Sequence, residues 1–443
     1  MPFYFSDKKR LLAVTNLAGL LAETLDLHIS LRLWDGTIIP LGREVEPDYF
    51  ISINHPGTMG SILRWPSPDN ILRNYVNGNI DFVGGDLINF ANTARQGVLK
   101  KEMRRRLRGL SKGYLFRQLL PLLFSPSTQT GVEHEFTEER TGRRQFRKNK
   151  DYIQFHYDVG NDFYSLFLDA EMQYSCGYFT DWNNTLAQAQ HDKLEMICRK
   201  LCLEPGEKML DIGCGWGGLI CHAARYHGVK AHGITLSQAQ HDFTREKITR
   251  LGLENLVTVE LCDYMEADGT YDKVSSVGMF EHIGIDNFRR YFKKIRSLLR
   301  DRGIFLNHSI ARRAKQVSRR KFRKLNTEKK LFQKYIFPGF ELDSLGHTLV
   351  SMESSGFEIR DMENWREHYA LTSRHWVQNL NARREEAVNL IGKERYRMWV
   401  LYLTGVSLAF TDGPLLIYQT VGVKRGSVKG VSGMPPTRSY LYR

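Results

Sequence analysis

A glycine-rich turn between an apolar run and a helical pattern is the feature that most constrains this chain. The turn reads Asp211-Ile-Gly-Cys-Gly-Trp-Gly-Gly218 and overlaps the end of a short predicted strand over 208–212. Glycines allow a sharp turn and let a ligand approach the backbone closely. The exposed amides where the next helix begins favour an anionic group. The turn therefore predicts an α/β fold with a cofactor bound at the end of this strand.

Two features indicate which class of cofactor the turn suits. Its pattern is Asp-x-Gly-x-Gly-x-Gly, whereas enzymes that bind nicotinamide dinucleotides use G-x-G-x-x-G and carry an acidic residue about 20 residues further on. At that distance this chain has Gly233-Ile-Thr-Leu-Ser237, which contains no acid. The pattern favours S-adenosylmethionine, whose methionine carboxylate is then the anionic group at the turn.

Helical and strand patterns alternate on both sides of this turn. Predicted helices cover 186–201, 219–226, 238–250 and 287–299, and predicted strands cover 208–212, 230–234, 257–261, 271–277 and 303–308. Strands that alternate with helices indicate a parallel sheet with right-handed crossovers. We therefore expect an α/β fold with a doubly wound, mostly parallel sheet.

The N-terminal part of the chain has a different pattern. Predicted strands over 27–33, 37–41 and 49–53, with a tight turn at Asp35-Gly36 and a helix over 70–76, indicate a small α+β N-terminal domain. The predicted organisation is this domain over 1–98, a basic amphipathic helix and linker over 99–150, a methyltransferase domain over 151–425 and a tail over 426–443.

The charge of the chain indicates an anionic partner. Its formal net charge is +14, which favours association with an acidic surface or substrate. Basic and apolar residues interleave over 99–117, as in a helix that lies on an anionic bilayer, although a solvated helix or one docked on the next domain has the same pattern. A second basic run, 312–324, follows the last predicted strand and is therefore expected near the mouth of the site.

Neither a membrane span nor a metal site is expected. No run of about 18 apolar residues occurs, and the first residues lack a signal-peptide pattern. The six cysteines form no Cys-x-x-Cys pair, which favours buried thiols in a reducing cytosol. We expect a cytoplasmic protein that associates peripherally with the inner face of the membrane.

Six motifs carry a family resemblance through their order and spacing. They are Phe155-His-Tyr-Asp-Val-Gly-Asn-Asp162, Met172-Gln-Tyr-Ser-Cys-Gly-Tyr178, the turn at 211–218, Thr235-Leu-Ser-Gln-Ala-Gln240, Val277-Gly-Met-Phe-Glu-His282 and Lys334-Tyr-Ile-Phe-Pro338. Together they closely resemble the cyclopropane-fatty-acyl-phospholipid synthase family, which includes the mycolic acid methyltransferases. The resemblance is strong over about 150–425 and looser over about 20–95. It implies a class I (Rossmann-like) methyltransferase fold.

The resemblance also implies a reaction. A methyl (methylene) group is transferred from S-adenosylmethionine to the double bond of an unsaturated fatty acyl chain of a membrane phospholipid. Because an alkene is a poor nucleophile, the sulfonium methyl must be held in line at near-attack distance. Transfer leaves a carbocation on the lipid, so the site must exclude water and supply a base. In the family that base is a bound bicarbonate ion, and the product is a cyclopropane fatty acyl chain.

Site residues follow by matching the family motifs to this sequence. The predicted catalytic residues, which would hold the bicarbonate, are Cys176, Glu281, His308, Ile310 and Tyr369. The predicted cofactor contacts are Tyr174, Ser175, Asp211, Gly213, Cys214, Gly215, Thr235, Gln240, Asp263 and Tyr264.

Alternatives remain open at this point. The basic run at 312–324 is longer and more basic than in cyclopropane synthases. The segments Asn307-His-Ser-Ile-Ala-Arg-Arg313 and Arg366-Glu-His-Tyr-Ala-Leu-Thr372 resemble a branch of the family that makes methyl- or methylene-branched acids from the same carbocation. A methyltransferase for a soluble or nucleic-acid acceptor is disfavoured, because Met279-Phe-Glu-His282 stands where amino-methylating enzymes carry Asn/Asp-Pro-Pro-Tyr. A non-catalytic lipid-surface protein is disfavoured by the intact catalytic set. We expect no nucleic-acid partner, and a homodimer is left open.

Overall fold

The computed structural model of the chain describes residues 5–94, 112–125, 159–314, 334–336, 340–426 and 433–442. The described residues fall into two compact units: one contains those within 1–135 and 384–404, and the other contains those within 136–325, 332–383 and 405–443. Residues 384–404 thus group with the N-terminal unit, whereas the sequence pattern places them in the 151–425 region. The predicted domain boundaries otherwise stay a prediction.

The N-terminal unit combines helices with a sheet. Its elements are α1 (Asp7–Leu25), β1 (Ser30–Arg32), β2 (Ile38–Pro40), β3 (Phe50–Ile53), α2 (Thr58–Arg64), α3 (Pro68–Val76), β4 (Ile80–Val83), α4 (Leu87–Ala94) and α5 (Lys112–Leu123). In the described residues the strand order is β2-β1-β3-β4, with β1 parallel to β3 and the other pairs antiparallel. The three predicted strands and the helix over 70–76 are confirmed, and α1, α2, β4 and α4 were not predicted.

The basic segments fall mostly outside the described residues. The predicted helix over 99–117 overlaps α5 only at its end, and residues 95–111 are not described. The predicted linker and most of the run over 312–324 also lie outside. Among the described residues, no helix is both long enough and apolar enough to cross a membrane.

The second unit is built on a larger sheet. Its elements are α6 (Asn161–Ser165), α7 (Leu186–Lys200), β5 (Lys208–Ile212), α8 (Gly218–His227), β6 (Lys230–Thr235), α9 (Gln238–Leu251), β7 (Val257–Leu261), β8 (Tyr271–Val277), α10 (Phe288–Leu298), β9 (Leu299–Arg312), α11 (Leu345–Ser354), β10 (Phe357–Asn364), α12 (Arg366–Ala382) and β11 (Leu415–Lys424). Helix α13 (Arg384–Thr411) contributes residues to both units.

The strand order of this sheet, within the described residues, is β10-β11-β9-β8-β5-β6-β7. Strands β5 to β9 are parallel, which confirms the predicted doubly wound sheet. Strand β11 runs antiparallel between β9 and β10, and this edge was not predicted. The order reverses between β5 and β8, and ligands of such sheets bind in the crevice at the carboxyl ends of the strands on either side of this switch.

Alternation along the central strands builds a core on each face of the sheet. Met209 of β5 belongs to the cluster that packs under α7 and α8, whereas its neighbour Leu210 belongs to the cluster around α10. Leu306 and Phe305 of β9 divide in the same way. Successive side chains of a strand point to opposite faces, so helices cover both faces and leave the crevice at the strand ends open.

Candidate active site

A pocket at the carboxyl ends of β5, β6 and β8 contains all of the predicted cofactor contacts. The ten residues are Tyr174, Ser175, Asp211, Gly213, Cys214, Gly215, Thr235, Gln240, Asp263 and Tyr264. They come from four separate segments of the chain, 174–175, 211–215, 235–240 and 263–264, so their meeting in one pocket depends on the sheet. Their individual roles toward the cofactor stay predictions.

The glycine-rich turn needs its glycines for two separate reasons. Gly213, Gly215 and Gly217 have φ of 78°, 56° and 76°, in the left-handed region that favours glycine. A Cβ on Gly217 would also lie 2.5 Å from Cγ2 of Thr244. The turn therefore passes close to α9 and exposes its backbone to the pocket.

Buried polar groups order the rest of the pocket wall. The Ser275 hydroxyl donates to Oδ1 of Asp211 over 2.6 Å, while burial raises the pKa of this carboxyl to about 6. Thr235 donates to Oε1 of Gln240 over 2.8 Å. The Met265 amide donates to Oδ1 of Asp263 over 2.8 Å, which closes the turn after β7.

Lys193 is a pocket residue that the sequence interpretation missed. It is 1% exposed on α7, and its ammonium group donates to Gln173 Oε1 over 2.5 Å and to Ser175 Oγ over 2.8 Å. Gln190, one turn earlier, donates to the carbonyl oxygen of Ser175 over 2.9 Å. Burial lowers the pKa of Lys193 to about 8. Because Leu186, Ala189, Leu194 and Ile197 share this helical face, the spacing could have shown that Gln190 and Lys193 point inward.

The predicted catalytic Glu281 lies just after β8, and its side chain is hydrogen-bonded to the backbone of β9. The Ile310 amide donates to Oε1 of Glu281 over 2.5 Å. The other oxygen, Oε2, is buried and has no hydrogen-bond partner among the described residues. Burial raises the pKa of this carboxyl to about 7. A carboxyl group in this state can carry or release a proton near neutral pH.

His308 also has a buried side-chain atom that lacks a hydrogen-bond partner among the described residues. The side-chain amide nitrogen of Gln419, on β11, lies 3.0 Å from Nδ1 of His308. Because an amide nitrogen can only donate, Nδ1 accepts, and the proton of the neutral ring is on Nε2. That Nε2 is buried and has no partner in the described part of the chain. Burial lowers the pKa of His308 well below its usual range, which keeps the ring neutral. Gln419 was also missed, because its strand was not predicted.

Trp365 connects the remaining predicted catalytic residues. Cys176 is fully buried, and its Sγ lies 3.7 Å from the Trp365 carbonyl oxygen. The Trp365 ring meets His308 edge-on, with 5.1 Å between ring centroids. The Tyr369 amide donates to the Trp365 carbonyl over 3.0 Å. Trp365 is fully buried and was not predicted as part of the site.

The buried Glu281 carboxyl makes a prediction for stability. Its folded pKa of about 7 lies above the usual value of 4.5, so the folded state retains a proton that the unfolded state has lost. Stability therefore falls as the pH rises from about 4.5 to about 7, by up to about 3 kcal/mol. We expect the melting temperature of Glu281→Gln, relative to that of the ligand-free wild type, to be higher at pH 8 than at pH 5.

Asp272→Asn is the matched control for this measurement. Burial alone would raise the pKa of Asp272, but hydrogen bonds from the Lys208 amide and Arg300 lower it overall. Its titration is complete below pH 5, so the difference between Asp272→Asn and wild type should be the same at both pH values. An equal pH response of the two variants would contradict the assigned state of Glu281.

Comparisons with known proteins agree with this geometry. The family model described as mycolic acid cyclopropane synthetase matches residues 144–420. A probable fatty acid methyltransferase of Pseudomonas putida is 35% identical over 425 residues, which are 95% of this chain and 98% of the relative. The cyclopropane-fatty-acyl-phospholipid synthase of Escherichia coli (strain K12) is 36% identical over 321 residues, 69% of this chain and 80% of the relative.

A solved structure extends the likeness to the fold. A mycolic acid cyclopropane synthase crystallised with SAH and CTAB aligns with a TM-score of 0.59 and 30% identity, over 63% of this chain and 100% of that chain. The predicted class I methyltransferase fold is thereby confirmed. The chain belongs to the mycolic acid cyclopropane synthetase family and is an S-adenosylmethionine-dependent methyltransferase of the cyclopropane-fatty-acyl-phospholipid synthase type.

Proposed function

We propose that this enzyme methylates the double bond of unsaturated fatty acyl chains in membrane phospholipids and forms a cyclopropane fatty acyl chain. The observation that carries the proposal is the pair of buried atoms without partners, Glu281 Oε2 and His308 Nε2. They belong to segments that follow or extend β8 and β9, next to pocket-lining residues Val277 and Met279. A buried site with unpartnered proton-handling groups suits an acceptor without polar groups at the reacting position.

The chain's own residues have two tasks in methyl transfer. When bound, S-adenosylmethionine supplies the electrophilic methyl group. Lys193 and Gln190 fix the Gln173–Ser175 segment against the pocket, which limits the positions open to the reacting centre. The aromatic side chains of Tyr174, Trp376 and Tyr369 pack with centroid distances of 5.1 Å and 5.8 Å and exclude water from the neighbouring wall.

The donors and acceptors around Glu281 suit a small oxyanion. Bound bicarbonate would supply the base that removes one proton from the alkylated chain. His308 Nε2–H offers a hydrogen bond to an anionic oxygen, and Glu281 Oε2 can accept one from a hydroxyl. Cys176, Ile310 and Tyr369 complete the predicted holding set. Burial makes any unsatisfied polar group here unfavourable, which favours an occupant.

We also propose that the protein works at the anionic inner surface of the membrane, as a peripherally bound enzyme. The net charge of +14 and the basic runs at 99–117 and 312–324 support this placement. The long alkyl chain of CTAB, bound in the solved relative, fits a substrate with a long apolar tail. A homodimer stays a prediction.

One relative favours a second product. The Pseudomonas putida protein that aligns over 95% of this chain is named a probable fatty acid methyltransferase. The same carbocation gives a methyl- or methylene-branched chain if the proton leaves from a neighbouring chain carbon instead of the new methyl group. Ring and branch therefore differ in the position of the base and share every earlier step.

The direct test is product analysis with defined lipid. We expect full-length enzyme, labelled S-adenosylmethionine and vesicles of unsaturated phospholipid to give labelled acyl chains, which mass spectrometry and NMR identify as cyclopropanes. Anionic vesicles should react faster than zwitterionic ones, and saturated vesicles should not react. Labelled branched chains would show that the second product is the correct one. A lipid fraction without label would contradict both proposals.

A further inference from the structure

A group of metal-ligating side chains lies between α7 and α8. Sγ of Cys198 and one ring nitrogen each of His222 and His227 all lie within 4.8 Å of one another. Oε2 of Glu195 is 3.2 Å from Nε2 of His222 and 3.1 Å from Nε2 of His227. None of these four residues lines the cofactor pocket, and none has a task in the proposed reaction.

The packing of the two helices explains why these side chains meet. Glu195 and Cys198 are one turn apart on α7, and His222 and His227 occupy the last turns of α8. Cys198 belongs to the same buried cluster as several apolar residues of α8, among them Ile220. The two helices therefore bring a sulfur and two ring nitrogens to one place, with the Glu195 carboxylate beside the histidines.

The distances among the three ligand atoms are close to those of a metal site. For three atoms within 4.8 Å of one another, one point lies no more than about 2.8 Å from each of them. The Zn–N bond is about 2.0–2.1 Å long and the Zn–S bond about 2.3 Å. Inward shifts of less than about 1 Å would bring the sulfur and the two nitrogens to bonding distance. Oε2 of Glu195, at 3.2 Å and 3.1 Å from Nε2 of the two histidines, lies outside this group of three and can serve as the carboxylate that orients ligating histidines.

The Glu195 carboxylate beside the group has a fixed orientation. Arg199 donates to Oε1 of Glu195 over 2.8 Å, which orients the carboxylate and leaves Oε2 for the histidines. A cysteine binds metal as a thiolate, so the thiol proton of Cys198 must pass to solvent when a metal binds.

We propose that Cys198, His222 and His227 hold a divalent transition metal such as Zn²⁺, with the Glu195 carboxylate orienting the two histidines. The site lies outside the cofactor pocket, so its role would be structural rather than catalytic. The ion would tie α7, which carries Lys193, to α8, which begins at the glycine-rich turn. It would thereby stabilise the two helices that build the cofactor pocket.

Metal titration of the full-length protein tests the site. After removal of metal with a chelator, we expect Zn²⁺ to bind with a stoichiometry of one per chain and to raise the melting temperature. His227→Gln should weaken binding by at least about tenfold, since even changes outside a ligand set typically weaken binding about 10–100-fold. His241→Gln is the matched control, because His241 pairs with Asp242 at 2.9 Å on α9 outside the metal-ligating group. The Zn²⁺ affinity of His241→Gln should equal that of the wild type.

Cobalt substitution tests the sulfur ligand separately. Co²⁺ in the wild type should give a thiolate-to-cobalt charge-transfer band, and Cys198→Ser should abolish that band. His222→Gln provides a second ligand variant, and circular dichroism without metal shows whether each variant is folded. Equal affinities of wild type and a folded His227→Gln or His222→Gln would overturn the proposal, as would a charge-transfer band that survives in Cys198→Ser.

Discussion

Glu281→Gln is expected to lower kcat for methylation of an unsaturated acyl chain by at least about a hundredfold, the usual range for loss of a proton-handling group. Gln can still accept the hydrogen bond from the Ile310 amide that now reaches Oε1. It cannot reproduce the carboxylate at Oε2, which is buried without a partner among the described residues. The affinity for S-adenosylhomocysteine, measured by calorimetry, should stay at the wild-type value.

Asp272→Asn is the matched control for activity as well. Asp272 also accepts a backbone amide, from Lys208 at 2.8 Å, but it lies at the opposite end of β8 from the pocket. We expect its kcat to equal that of the wild type. A Glu281→Gln enzyme with nearly wild-type kcat on phospholipid vesicles would remove Glu281 from the reaction and leave only a structural role.

Lys193→Met is expected to affect both stability and cofactor affinity. Removing one member of a buried charged network typically destabilises by about 3–5 kcal/mol, and here Asp169 and Asp211 would lose their nearby cation. Gln173 and Ser175 would lose the group that positions them. We expect S-adenosylmethionine to bind at least about tenfold more weakly, because unpaired buried polar groups typically cost about 1–3 kcal/mol each.

Lys200→Met separates these two effects. Lys200 is fully buried on the same helix, but it donates to Glu363 over 2.5 Å and does not line the pocket. The variant should unfold at a similarly reduced temperature and bind the cofactor as the wild type does. If both variants lost cofactor affinity equally, general loosening of α7 would explain the result, and Lys193 would have no particular role.

Much of the second unit could be predicted because its signals are local. The bounds of β5, β7 and β8 match the predicted strands, since a short apolar run between helical patterns has few other interpretations. The cofactor contacts were predicted from the family resemblance. The sheet explains why Asp211, Thr235 and Asp263 reach one pocket, because the carboxyl ends of parallel strands meet at one edge.

The missed residues depend on contacts that are distant in sequence. Strand β10 reads Phe-Glu-Ile-Arg-Asp-Met-Glu-Asn, which lacks the continuous apolar run of a buried parallel strand. With β10 and β11 unpredicted, neither Gln419 nor Trp365 could be placed beside His308. Lys193 was missed because a lysine on a helix usually faces solvent. Its place on the apolar face of the helix indicates burial, but its partners Gln173 and Ser175 come from another segment and could not be predicted from that spacing.

The insertion of β11 beside β9 has a consequence for synthesis on the ribosome. Gln419 and His308, which pair across these strands, are 111 residues apart in the chain. At about 5–20 residues per second, β9 leaves the ribosome roughly 5–20 s before its neighbour exists. During that interval its unpaired edge can join another chain. The nascent enzyme is therefore most vulnerable to aggregation late in translation, when most of the sheet is already made.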